Sequence, residues 1–217
     1  MPVRVGLRYI EIWKDSMEDA VREYEQQPLI KDQIVFYGPS YFTRWSSKWG
    51  NTPLREVLTG KSGAPCCVNR GFGSSCPEHQ LYYYHRMILP LAPRVLVYGS
   101  WGNGPAFGYS NEESFELAQR VVAYALTDFP DLRIYLLGAN ANANMDNKKL
   151  AARMEYSSML RRFAEETPRV TYLDLLSHAP LCREDIFVSD GVHYNGTGYG
   201  IFADYFKAAL KDELAKY

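Results

Sequence analysis

Five short apolar runs constrain the fold of this chain most: Ile34 to Tyr37, Cys66 to Asn69, Val95 to Tyr98, Leu132 to Leu137 and Val170 to Leu175. Each is near-continuous rather than alternating, the pattern of a strand buried on both faces. Helical patterns lie between them. Ala118, Val121, Val122, Ala125, Leu126 and Phe129 share one face, and Ser110 with Glu113 reads as a capping box at the start of that helix. Ser75 with Glu78 reads as another, with Pro77 in the first turn, Leu81, Tyr84 and Ile88 on one face, and an end near Pro90. A further helix is predicted from Asp146 towards Thr167. The last begins near Gly198 and carries Phe202, Tyr205, Phe206, Ala209 and Leu210 at helical spacing. An N-terminal helix with Met17, Ala20, Val21 and Tyr24 inward precedes Pro28.

Strands alternating with helices require right-handed crossovers, so the expected fold is α/β, a three-layer α/β/α sandwich about a five-stranded parallel sheet. No repeat or low-complexity linker divides the 217 residues, and one domain is expected over 1–217, with a helical extension at about 1–32. Apolar residues at 47% and charged residues at 23% are ordinary globular usage. A formal net charge of −1 provides no basic field for phosphates, which argues against nucleic acid and for a small-molecule partner. Met1 to Lys14 mixes charged and apolar residues, unlike a signal peptide, and no segment approaches a membrane span, so a cytoplasmic location is expected. Cys66, Cys67, Cys76 and Cys182 lack metal-ligand spacing and read as reduced, structural thiols. Oligomeric state has no signal in the sequence.

In an open parallel sheet the carboxyl ends of the strands collect the functional loops. Here those ends read Gly38-Pro39-Ser40, Arg70-Gly71-Phe72-Gly73-Ser74, Gly99-Ser100-Trp101-Gly102-Asn103-Gly104 and Gly138-Ala139-Asn140. Glycine permits close backbone approach to a ligand, so a site built partly from main-chain N–H groups is expected there. Ser40 stands just beyond the first strand, before a helix predicted near Tyr41. That placement suits a nucleophile, although Gly-x-Ser alone also reads as a turn or cap. Asp190-Gly191-Val192-His193 supplies a candidate base and its orienter, since the carboxylate can accept from one imidazole nitrogen while the other faces a hydroxyl. Taken alone, this spacing also fits a turn or half of a metal site.

Together these segments resemble, in order, the four blocks of the SGNH (GDSL-like) hydrolases. Ile34 to Ser40 is similar to the nucleophile block, with Pro39 where Asp or Ser is usual. Val68 to Ser75 is similar to the second block, whose oxyanion glycine falls on Ser74, beside Gly73. Arg94 to Tyr98 followed by Trp101-Gly102-Asn103-Gly104 looks like the third, with Asn103 at the donor asparagine and Trp101 and Gly104 replacing the usual Gly and Asp. Asp190 to His193 matches the fourth. The resemblance spans roughly Ile34 to Phe206. It implies a flavodoxin-like sandwich and a serine esterase of short-chain or acetyl esters, with a catalytic triad of Ser40, Asp190 and His193. Ser40, Gly73 or Ser74, and Asn103 would line the oxyanion hole, and no cofactor or metal would be needed. Two other outcomes fit the same residues: an acyltransferase using the same triad, and a noncatalytic carbohydrate-binding module. Tyr41 and Trp101 are the candidate substrate contacts, with Arg44, Trp45, Phe107 and Tyr109 nearby in sequence.

Overall fold

The computed structural model describes residues 14–217. The reading of Met1 to Lys14 as unlike a signal peptide, and most of the first half of the expected extension, lie outside the described residues. In chain order the elements are α1 (Lys14–Glu25), β1 (Ile34–Gly38), α2 (Ser40–Thr43), α3 (Leu54–Val57), β2 (Cys67–Gly71), α4 (Pro77–Met87), β3 (Val95–Gly99), α5 (Asn111–Asp128), β4 (Arg133–Leu137), α6 (Asn147–Glu166), β5 (Val170–Leu173), α7 (Gly196–Ala209) and α8 (Lys211–Leu214). The five strands form one sheet in the order β2-β1-β3-β4-β5. Every neighbouring pair is parallel. The expected three-layer sandwich with flavodoxin-like strand order is therefore present. Among the described residues no helix is long and apolar enough to cross a membrane.

Alternation along the strands divides the interior in two. Val35, Tyr37, Leu96, Tyr98, Ile134 and Leu136 pack towards α1, α4, α5 and α6. Ile34, Phe36, Val95 and Val97 face the other way, onto Phe42 and Trp45 and the α7 residues Phe202 and Phe206. This is why β1 and β3 read as unbroken apolar runs: every residue of both is buried. Buried strand tyrosines need partners for their hydroxyls, and Gln80 of α4 provides them. Its C=O accepts from Tyr37 at 2.6 Å and its Oε1 from Tyr98 at 2.8 Å. Its Nε2 donates to Gly99 O at the end of β3.

The Ser110 cap forms as expected, its side chain accepting from the Glu113 N–H, and Asp146 caps α6 in the same way by accepting from the Lys149 N–H. The Ser75–Glu78 box does not form. Cys76 caps α4 instead, and His79 Nδ1 accepts from the Cys76 N–H at 3.3 Å. The reason is that Ser75 is spent elsewhere: its Oγ accepts from Gln80 Nε2 at 3.3 Å and its C=O from Asn103. All four cysteines carry free thiols.

Two strand-end glycines, Gly38 and Gly71, set the height at which α2 lies over the sheet. A Cβ on Gly71 would fall 2.5 Å from both Phe42 Cβ and Thr43 N, and one on Gly38 would fall 2.7 Å from Gly99 O. These are backbone or first side-chain atoms that cannot swing aside. Gly71→Ala should therefore push α2 off the sheet and destabilise the protein by about 1–3 kcal/mol, as overpacking does. For a chain of this size that is roughly 2–4 °C of Tm per kcal/mol. Calorimetry checks it, and an unchanged Tm would contradict the packing argument.

Candidate active site

Ser40 is the first residue of α2, which is only four residues long and has Pro39 as an extended N-cap with no capping side chain. So short a helix does not persist unaided, and its carbonyls are held from both sides. Asn69 Nδ2 of β2 donates to Phe42 O at 2.7 Å, and Tyr199 OH of α7 donates to Tyr41 O at 2.9 Å. The nucleophile candidate is thus fixed at the carboxyl edge of the sheet, half-buried, with its N–H at a helix start.

Asp190 and His193 occupy a tight turn closed by Val188 N donating to His193 O and Gly191 N donating to Val188 O, each at 2.9 Å. Gly191 adopts φ +67, a conformation that strains any residue with a Cβ, and Ala143 Cβ would lie 3.5 Å from one. Within the turn, Asp190 Oδ1 accepts from the N–H groups of Val192 and His193 at 2.8 and 2.9 Å. Its Oδ2 lies 2.7 Å from His193 Nδ1, and His193 Nε2 lies 2.8 Å from Ser40 Oγ. An ionised carboxylate only accepts, so Nδ1 carries the proton and Nε2 is the acceptor for the serine hydroxyl. Three side chains from opposite ends of the chain thus form one continuous relay.

Arg44 joins this relay, and its role was not foreseen from sequence. Its guanidinium donates to the same Asp190 Oδ2 at 3.1 Å and stacks 4.4 Å above the Trp49 ring. Nothing local marks the pair, because 146 positions separate its members. Burial opposes ionisation of Asp190, but the two backbone N–H groups and the imidazole outweigh it and hold the carboxyl well below its usual range. His193 is lowered from 6.5, first by burial and then by the positive charge of Arg44, with Asp190 pulling the other way.

The remaining predicted residues sit on the loops around Ser40. Ser74 is exposed and takes φ +59, the left-handed conformation at the place where the family glycine was expected. Gly73 beside it does not have positive φ. Asn103 is half-buried and its Nδ2 donates to Ser75 O at 2.9 Å, which ties the third loop to the second. The amide nitrogen carries two hydrogens, so this bond leaves one for a further acceptor. Gly102 lies close to the nucleophile turn, where a Cβ would be 3.7 Å from Pro39 Cγ. Tyr41 and Trp101, expected as substrate contacts, are instead only 7% and 5% exposed and belong to the two core clusters. Trp45 and Tyr109 are buried as well, and the aromatic residue exposed beside Arg44 is Trp49, at 48%.

No family model and no curated protein matches this sequence. Solved structures do match the fold. A GDSL-like lipase from Bacteroides thetaiotaomicron VPI-5482 superposes with a TM-score of 0.65 at 15% identity, covering 93% of this chain and 98% of that one. An acetyl xylan esterase gives a TM-score of 0.68 at 18% identity, over 82% and 99%. An acetylxylan esterase from Geobacillus stearothermophilus, crystallised as a serine-to-alanine catalytic mutant, gives 0.66 at 13% identity, over 87% and 99%. At such identities the likeness is one of fold. The class it defines is the SGNH (GDSL-like) hydrolase fold, the one the four sequence blocks resemble.

Only the neutral imidazole can accept the serine proton. Because the His193 pKa is lowered from 6.5, any activity that uses it should rise with pH along a limb whose midpoint lies below 6.5. Arg44→Gln removes a positive charge that opposes protonation, so the limb should move to higher pH. A pH profile of kcat/KM for both proteins tests this, and an unmoved limb would remove Arg44 from the electrostatics of the site.

Proposed function

We propose that this protein is a serine carboxylic-ester hydrolase that works through an acyl-enzyme on Ser40. The observation that carries the reading is the unbroken relay Ser40–His193–Asp190, with contacts of 2.8 and 2.7 Å. His193 Nε2 takes the hydroxyl proton as Oγ attacks the ester carbonyl, and Asp190 stabilises the resulting imidazolium. The tetrahedral oxyanion is received by the Ser40 N–H, the N–H of Ser74 or Gly73, and Asn103 Nδ2. His193 then gives its proton to the departing alcohol. A water molecule, deprotonated by the same imidazole, releases the acid and restores Ser40. The left-handed backbone of Ser74 supports that residue as the second donor, since a serine there has adopted the geometry normally left to glycine.

The preferred substrate is a short-chain or acetyl ester. Support comes from the structural neighbours described as acetylxylan esterases. A relay with three members in bonding contact weighs against the noncatalytic binding module.

A panel of p-nitrophenyl esters of increasing chain length should show highest kcat/KM for acetyl or butyryl esters. Ser40→Ala should abolish this turnover and also abolish covalent labelling by a fluorophosphonate, read by intact-protein mass spectrometry. Labelling that survives Ser40→Ala would place the nucleophile elsewhere.

The Asn103 amide acts on charge that develops only in the transition state. Asn103→Ala should therefore lower kcat by roughly 10²–10³ with KM nearly unchanged, the usual cost of one oxyanion donor. A wild-type kcat would leave the hole with backbone donors alone.

A further inference from the structure

Arg153, near the start of α6, is only 8% exposed, and among the described residues no ion pair is formed by it. Burial lowers its pKa, which is the mark of a charge kept in the interior at a cost. What compensates that charge is instructive. Nε donates to Asn140 O at 3.0 Å, and one terminal nitrogen donates to Lys149 O at 3.3 Å. The other lies 2.9 Å from the Asn142 amide, whose hydrogen bonding is satisfied on both sides only when its oxygen faces Arg153 and its nitrogen donates to Ala141 O. The guanidinium carbon lies over the Trp101 ring, 5.5 Å from its centroid. Three of these groups, Asn140 O, Asn142 and the Ala141 carbonyl behind it, belong to the loop that follows β4. Trp101 belongs to the loop that carries Asn103.

The chain of contacts continues to the catalytic candidates. The Ala143 N–H, next to Asn142, donates to Gly191 O at 2.8 Å. Gly191 is the positive-φ residue between Asp190 and His193. On the other side, Trp101 packs 5.0 Å from Tyr156, one helical turn beyond Arg153, and Tyr156 OH is bonded to Ser100 Oγ at 2.8 Å. Thus α6 grips both loops through residues three apart, which a helix places on one face.

We propose that Arg153 is a positioning residue: it locks the β4–α6 loop against the Trp101–Asn103 loop and so holds the Asp190–His193 turn in register with the oxyanion donors. It touches no reacting atom. The proposal rests on the esterase reading above. It explains why an arginine, rather than an apolar residue, is buried at a place where, among the described residues, no carboxylate is in ion-pair contact with it and the charge of Asp146 acts only from a distance. A planar group with several donors can bond two points of one loop while stacking on an aromatic ring of the other.

Misplacing a catalytic group by about 1 Å costs on the order of 10²-fold in rate. Arg153→Met, which keeps length and packing but removes every donor, should lower kcat by about 10- to 100-fold on the best p-nitrophenyl ester, with KM changed less than about threefold. Arg153→Lys keeps the charge but cannot bond both points at once, and its kcat should fall between the two. A readout that needs no substrate is the downfield Nδ1 proton resonance of His193 in the free protein. It should shift or broaden in Arg153→Met while the near-UV circular dichroism shows an intact fold. A wild-type kcat in Arg153→Met, or a His193 resonance identical to wild type, overturns the proposal. So does a loss of kcat that only follows the loss of folded protein. If Arg153→Met does not fold, Arg153→Lys decides, and a kcat equal to wild type overturns it. Should the wild-type protein hydrolyse none of the esters, the esterase reading fails, whereas the His193 resonance still reports on Arg153.

Discussion

The approach of α2 to the strand ends at backbone distance is the constraint on which the rest of this edge depends. Gly38 and Gly71 are register partners on neighbouring strands, so two positions without side chains lie side by side beneath the helix. Gly99 continues the gap on β3, where a Cβ would collide with Tyr41 OH. With even one methyl group there, a four-residue helix would have to ride higher, away from Asn69, which bonds it from β2. Ser40 Oγ would then leave the reach of an imidazole anchored in a different part of the chain. The 2.8 Å contact with His193 is therefore a consequence of sheet packing as much as of the two residues themselves.

How much of this was legible in the sequence follows the range of the interactions involved. The cap at Ser110 is local, three residues from donor to acceptor, and was readable, as was the start of a helix near Asp146. The Ser75–Glu78 box had the same local pattern, but Gln80 and Asn103 claim Ser75, and tertiary bonds override the capping preference. The strands were visible as apolar runs, while their ends were not. β2 extends through Arg70, whose side chain is buried against the Tyr24 ring, because a stacked guanidinium occupies a core position that a hydropathy reading assigns to solvent. β5 stops at Leu173, because Asp174 turns to receive the Ser177 N–H and cannot continue the ladder.

The same rule sorts the site. Asp190 and His193 stand three apart, and a turn of that length brings carboxylate to imidazole without help, so the spacing could be read. Ser40 was readable only through its place after a strand and the order of the other blocks. Arg44 meets Asp190 from the other end of the chain, and Arg153 lies over Trp101 of a distant loop, so neither contact carried a local sign. Tyr41 and Trp101 misled for a related reason. Adjacency to a catalytic loop does not say which face an aromatic ring takes, and both rings turn inward, Trp101 to lie under Arg153 and against Tyr156.

The charge arrangement around Asp190 implies a division of labour among the loops. Its Oδ1 is filled by two backbone N–H groups, and its Oδ2 is shared between His193 and Arg44. Four donors keep the carboxylate ionised and unable to rotate, which fixes the imidazole plane. Sharing Oδ2 with a cation, however, lessens what Asp190 can offer an imidazolium, and burial of the ring acts in the same direction. Such a histidine remains a base at lower pH but gains less when it becomes charged. In the proposed reaction the imidazolium and the oxyanion form together, so the weaker cation clamp would place more of the stabilisation on the oxyanion side. There the bond from Asn103 to the Ser75 carbonyl joins two of the three loops proposed to carry the donors, which would make the loops' mutual register, rather than the strength of the acid–base pair, the feature on which the proposed turnover depends most.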